Sequence, residues 1–128
     1  MAQIHFSALE ETINYSFKNK ELLVEALTHS SYANELRARK QNVQCNERLE
    51  FLGDAVIESI TSDYLFIEFP DRDEGFMTQL RSKIVSRQSL NRIASEIGLD
   101  KYVISNAAGN ATQKHIFGDA FEAMLRAI

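Results

Sequence analysis

The chain predicts an all-α fold. Apolar residues return every three or four positions through most of its 128 residues, the spacing that lines one face of a helix. Helix-ending residues fall between those runs, at Pro70 and Gly98. No alternating apolar–polar run suggests a substantial sheet. The length suits one modest domain with a core of its own. Apolar and charged shares of 45% and 25% are ordinary for a globular protein.

A first helix is expected over residues 4–13. Asn19 can cap a second over residues 20–28, since its side-chain oxygen can accept a first-turn N–H, with Leu22, Leu23, Ala26 and Leu27 inward. Residues 33–45 are polar and aperiodic and read as a loop or a frayed extension. The longest helix should span residues 46–66, with Leu49, Leu52, Val56, Ile60 and Tyr64 as its buried stripe, widened by Ala55 and Ile57. Pro70 with Asp71, Arg72 and Asp73 breaks the chain. Residues 74–85 read as a helix, and Ser86 as the cap of another that uses Leu90, Ile93, Ala94 and Ile97 before a left-handed stop at Gly98. Residues 106–112 form a loop. The last helix runs from about residue 113 to the end, with Ile116, Phe117, Ala120, Phe121, Met124 and Leu125 as its core.

Composition narrows the function classes. The single cysteine, Cys45, excludes an internal disulfide and a metal-thiolate cluster, so a cytoplasmic setting is expected. No basic-then-apolar leader opens the chain, and no apolar run nears the roughly 18 residues that cross a bilayer; no membrane partner is expected. The formal charge of −4 and pI near 5.4 argue, taken alone, against nucleic acid. The distribution matters more. Basic residues gather at Arg37, Arg39 and Lys40 and again at Arg81, Lys83, Arg87 and Arg92, to line a phosphate track or a solvated face.

The run Asn46-Glu47-Arg48-Leu49-Glu50-Phe51-Leu52-Gly53-Asp54 sets three carboxylates into a helical stretch. Glu47 and Glu50 are three apart and Glu50 and Asp54 four apart, so all three can share one face. Asp119 and Glu122 form a second acidic pair in an apolar helical run. Such acids repel by roughly 4 kcal/mol per pair at 4 Å and an effective dielectric near 20. Divalent magnesium or manganese, which takes hard oxygen ligands, would neutralise them if the helices crossed with Glu50, Asp54, Asp119 and Glu122 face to face. Glu47 and Glu74 could each add an outer ligand. The plainer assignment is that Glu47, Arg48 and Glu50 pair with surface bases, that Asp119 and Glu122 flank a core stripe, and that Glu58 faces solvent. Phosphoryl transfer or phosphodiester hydrolysis suits an all-carboxylate magnesium site.

His29, beside Ser30, Ser31 and Tyr32, reads as a helix-end histidine, because no spacing sets a Ser-His-acid arrangement. His115 reads as a surface residue one turn before Asp119. Gly53 gives up about 1 kcal/mol of helix propensity relative to Ala, for which close helix approach is a good reason; Gly118 is another candidate for close packing. Phe51 lies off the main stripe, packed on a second layer or waiting for a partner subunit. No phosphate-loop or dinucleotide fingerprint occurs.

These motifs resemble the catalytic domain of bacterial ribonuclease III. The run Asn46–Asp54 continues into Ala55-Val56 as that family's signature, and Asp119-Ala120-Phe121-Glu122-Ala123 resembles its second acidic motif. Leu27-Thr28-His29-Ser30-Ser31-Tyr32-Ala33, Asp73-Glu74-Gly75-Phe76 and Leu80-Arg81-Ser82 are family-like blocks in the same order. The resemblance covers essentially the whole chain. It implies the ribonuclease III endonuclease-domain helical fold and metal-dependent cleavage of double-stranded RNA to 5′-phosphate and 3′-hydroxyl ends with a two-nucleotide 3′ overhang. It places Glu50, Asp54, Asp119 and Glu122 in the catalytic and metal-binding positions, with Mg2+ as cofactor and Mn2+ as substitute. Glu47 and Glu74 become accessory acids, and Phe51 the aromatic that enters a pocket of the other subunit in a homodimer.

The family normally continues past the point where this chain stops, at Ile128, with a further helical segment and a double-stranded-RNA-binding domain. The expectation is therefore a catalytic domain over residues 1–128, truncated or naturally short, with weakened RNA binding. Residues 103–114 form a shorter, less glycine- and arginine-rich loop than the family's, and Arg126 replaces a glycine-like residue, which should alter packing or solubility. The competing readings are a non-catalytic RNA- or ribonucleoprotein-binding dimeric module and a metal-binding dimeric scaffold.

Overall fold

The computed structural model describes residues 5–105 and 116–128. Seven α-helices carry the described residues: α1 Ser7–Ile13, α2 Lys20–Leu27, α3 Ser30–Ala38, α4 Glu47–Glu68, α5 Glu74–Ile84, α6 Arg87–Glu96 and α7 Ile116–Ala127, with a 3-10 turn at Leu99–Tyr102 between the last two. No strand forms among the described residues; one isolated parallel bridge joins Thr28 to Ile104. The expected loop over residues 106–112, the start of the last helix at 113–115, His115 and the first residue of the expected first helix, Ile4, lie outside the described residues.

Several boundaries have visible chemical causes. Asn19 Oδ1 accepts from Leu22 N–H at 3.1 Å, Asp73 Oδ1 from Phe76 N–H at 2.9 Å, and Ser86 Oγ from Ser89 N–H at 3.2 Å, each capping a free first-turn donor. Gly98 ends α6 with φ +79°, in the left-handed region. The stretch read as loop from residue 33 begins inside a helix instead. His29 caps α3, its Nδ1 accepting from Ser31 N–H at 3.1 Å. That helix buries only Ala33, so no apolar stripe announces it.

The core gathers around α7, which packs against α2, α4 and α6. Small Ala120 and Ala123 let its neighbours approach, while Ile116 and Met124 fill the space between them. Leu9, Leu23, Leu27, Leu65 and Leu99 are almost fully buried around them; burying one such side chain contributes about 2–3 kcal/mol. Arg126 is exposed on α7 and takes no part in that packing.

The long helix turns a different face inward from the one its periodicity suggests. Gly53, Ile57, Thr61 and Leu65 form its buried seam. Of the expected stripe, Leu52, Ile60 and Tyr64 are exposed, Leu49 and Val56 half-buried. A line containing glycine and threonine scores poorly as an apolar face, yet Gly53 permits the close approach to α7. The more apolar stripe is left on the surface with Phe51, Phe66 and Ile67.

Candidate active site

A buried polar junction sets where α4 begins. Asn46, itself buried, donates from Nδ2 to the Ala26 carbonyl at 3.0 Å and from its backbone N–H to Thr28 O at 2.9 Å. Ile104 N–H donates to Leu27 O, and His29 N–H to Ile104 O, both at 2.8 Å. Two separated segments, those of Asn46 and Ile104, thus converge on the end of α2. Glu47 and Glu50 occupy the first turn of α4, where carboxylates are favoured by the helix dipole.

Gly53 then sets the spacing to α7. A Cβ added there would stand 1.8 Å from the Glu122 carbonyl oxygen and 2.5 Å from its carbon, so no side chain fits. One turn earlier on α7, Gly118 N–H donates to Asn91 Oδ1 at 2.7 Å, and a Cβ on Gly118 would meet that same oxygen at 2.7 Å. One glycine brings α7 against α4, the other against α6. The sequence flagged both glycines; Asn91 carried no comparable signal.

One carboxylate oxygen from each of Glu50, Asp119 and Glu122 lies within 4.8 Å of the other two. Asp54 is exposed and shares a hydrogen bond with Glu122. A cleft of about 400 Å³ opens beside them, lined by Glu47, Glu50, Phe51, Asp54, Arg87 and Glu122 among others. Glu74 is not brought to this cleft within one chain. It begins α5, exposed, and lines a separate cleft of about 230 Å³ with Ser62, Phe66 and Arg81. His29 is committed to its capping role, with Ser31 Oγ 2.8 Å from Nδ1.

The packing makes these acids reluctant to ionise. Burial is the main reason that Glu122, only 8% exposed, is pushed up to about 8, followed by its hydrogen bond with Asp54 and the charges of Asp54, Glu50 and Asp119. Burial likewise leads the rise of Glu50 to about 7, with Asp119 adding repulsion and a hydrogen bond; Arg87 acts in the opposite direction. Carboxylates this crowded share protons at neutral pH unless a cation replaces them. The donors are all hard oxygens, close enough to converge on one ion and open to water on one side, so the set fits a divalent metal such as magnesium or manganese.

Comparison with known proteins gives the fold its family. Residues 19–128 match the ribonuclease-III-like family model. Ribonuclease 3 of Listeria monocytogenes is 47% identical over 124 residues, covering 94% of this chain and 53% of that protein. Ribonuclease 3 of Oleidesulfovibrio alaskensis is 44% identical over 127 residues, covering 96% and 54%. The chain thus spans about half the length of the curated relatives it matches. The nuclease domain of ribonuclease III from Campylobacter jejuni, a structure described for flexibility in a region involved in dimer formation, superposes with a TM-score of 0.82 at 38% identity, covering 97% of this chain and 84% of that one. Dicer from Pichia stipitis follows with a TM-score of 0.66 at 28% identity over 88% of this chain and 46% of its own. A helical core in which α4 and α7 set their acidic pairs face to face, with this likeness in sequence and shape, makes the chain a member of the ribonuclease-III-like family.

Proposed function

We propose that this chain is a divalent-metal-dependent endonuclease domain that hydrolyses double-stranded RNA as a homodimer. The observation that carries the reading is the meeting of Glu50, Asp119 and Glu122 across two helices in a chain of this family. Glu50, Asp119 and Glu122 would hold magnesium or manganese, Asp54 would complete the set through its contact with Glu122, and Glu47 stands as an accessory acid at the cleft wall. When bound, the ion neutralises phosphate charge and lowers the pKa of water for in-line attack. The residues themselves would fix where that ion sits at the mouth of the cleft. Their own basicity is not the driving force, because the raised values of about 8 for Glu122 and about 7 for Glu50 belong to the ion-free cluster and a bound cation would lower them.

Cutting both strands needs paired sites. Phe51 is 82% exposed, next in sequence to Glu50, on a helix that also exposes Leu52, Ile60, Tyr64 and Ile67. So many large apolar side chains left exposed on one helix are a feature of association sites, which supports a homodimer with Phe51 in its interface. Glu74, away from the cleft of its own chain, is an accessory acid in this reading. Two sites across one RNA groove would yield 5′-phosphate and 3′-hydroxyl ends with a two-nucleotide 3′ overhang. Substrate choice would rest on A-form shape, phosphates and 2′-hydroxyls, since the deep, narrow major groove of RNA excludes side chains. A cytoplasmic setting accompanies the reading; no described helix is long and apolar enough to cross a membrane.

The test is cleavage of a perfect RNA duplex at low salt with mapped ends. Product should form with magnesium or manganese and be absent with calcium or after Glu122→Gln. Duplex binding without product at high protein concentration would leave only a non-catalytic module.

A further inference from the structure

Arg87 is a cation set against its local surroundings. It is the first residue of α6, where unpaired N–H groups concentrate partial positive charge and a further cation is disfavoured. No acidic residue stands in that first turn to offset it. The side chain is exposed, and among the described residues it makes no hydrogen bond or ion pair. Yet it lines the cleft that holds Glu47, Glu50, Asp54 and Glu122, and its charge reaches Glu50 and favours ionisation there. It is therefore close to the acids without being consumed by one of them.

A cleft whose other charged residues are all acids repels a polyanion, and a planar guanidinium presents donors that match phosphate oxygens. We propose that Arg87 is a substrate-contacting residue, binding a phosphate of the RNA strand that lies against Glu50, Asp54, Asp119 and Glu122. The inference rests on the RNA-cleaving reading above. The rival role is a fixed counter-ion for Glu50, which would serve the protein whether or not RNA is present.

Salt dependence separates the two. Binding of a short RNA duplex to the whole chain in calcium is followed across a salt series for wild type, Arg87→Gln and Arg87→Lys, with Arg126→Gln as an exposed control. Loss of one phosphate contact should weaken Arg87→Gln on the order of tenfold and flatten the log–log salt slope by about one unit. Arg87→Lys should keep the slope, and Arg126→Gln both quantities. Circular dichroism should be unchanged throughout, since Arg87 is exposed. The proposal is overturned if Arg87→Gln keeps wild-type affinity and slope, and tighter magnesium binding in that variant would assign the counter-ion role. Wild type that binds duplex without magnesium-dependent cleavage defeats the enzymatic reading, while the slope still decides the phosphate contact. Wild type that binds no duplex at low salt defeats both.

Discussion

Glu122 is where burial and charge conflict most directly among the described residues. Its raised pKa of about 8, with about 7 for Glu50, means that protons compete with metal around neutrality. Divalent-ion affinity should therefore rise between pH 6 and 9, by up to about tenfold per pH unit for each proton displaced, as titration calorimetry would measure. Glu122→Gln should lower cleavage at least about a hundredfold, beyond the loss of an outer-shell partner alone, and also flatten this pH dependence. A parallel loss in metal affinity would tie the two effects together. The acids themselves were legible, because charged residues at helical spacing inside apolar runs stand out. Which of them would be most desolvated was not: Glu122 and Asp54 are both acids on crossing helices, yet one is buried and the other exposed, a difference set by tertiary packing.

Among elements, the α4–α7 crossing decides the site. Gly53→Ala forces a methyl into the Glu122 carbonyl. That contact is with backbone, which cannot rotate away, so the loss should reach about 3 kcal/mol or more in denaturant unfolding, with activity falling further than stability accounts for. Losing the α5 cap in Asp73→Ala should cost only about 1 kcal/mol. Helices with strong caps or a clear break before them were readable: α2 and α6 begin where Asn19 and Ser86 said they would, and α5 begins at residue 74, just after the break at Pro70–Asp73. The helix α3 was hidden because it buries little and uses histidine as its cap. The inner face of α4 was misassigned for the opposite reason. Periodicity finds the most apolar line, and in this helix that line is on the surface while Gly53 and Thr61 face the core.

At the scale of the molecule, apo stability should decline from pH 5 to pH 8.5. Folding raises Glu50 and Glu122 from the ordinary 4.5, so the native state holds extra protons between 4.5 and about 8. Stability is then fullest below the unfolded value and is lost as pH climbs through the folded values. Magnesium should reduce the decline, as thermal melting with and without the ion would record. Glu10, held below its ordinary range chiefly by its hydrogen bond from Lys20, acts at lower pH and leaves this window alone. Exposed Phe51, Ile60 and Tyr64 carry the association argument. Phe51→Ala, as loss of an anchor worth about 2 kcal/mol, should weaken self-association about thirtyfold in sedimentation. Phe51 also belongs to the cleft wall beside Glu47 and Asp54. Dilution should thus act as an inhibitor: below the concentration at which subunits part, turnover per chain would fall although every ligand to the ion is intact, and a rate linear in protein down to that point would bend downward beneath it.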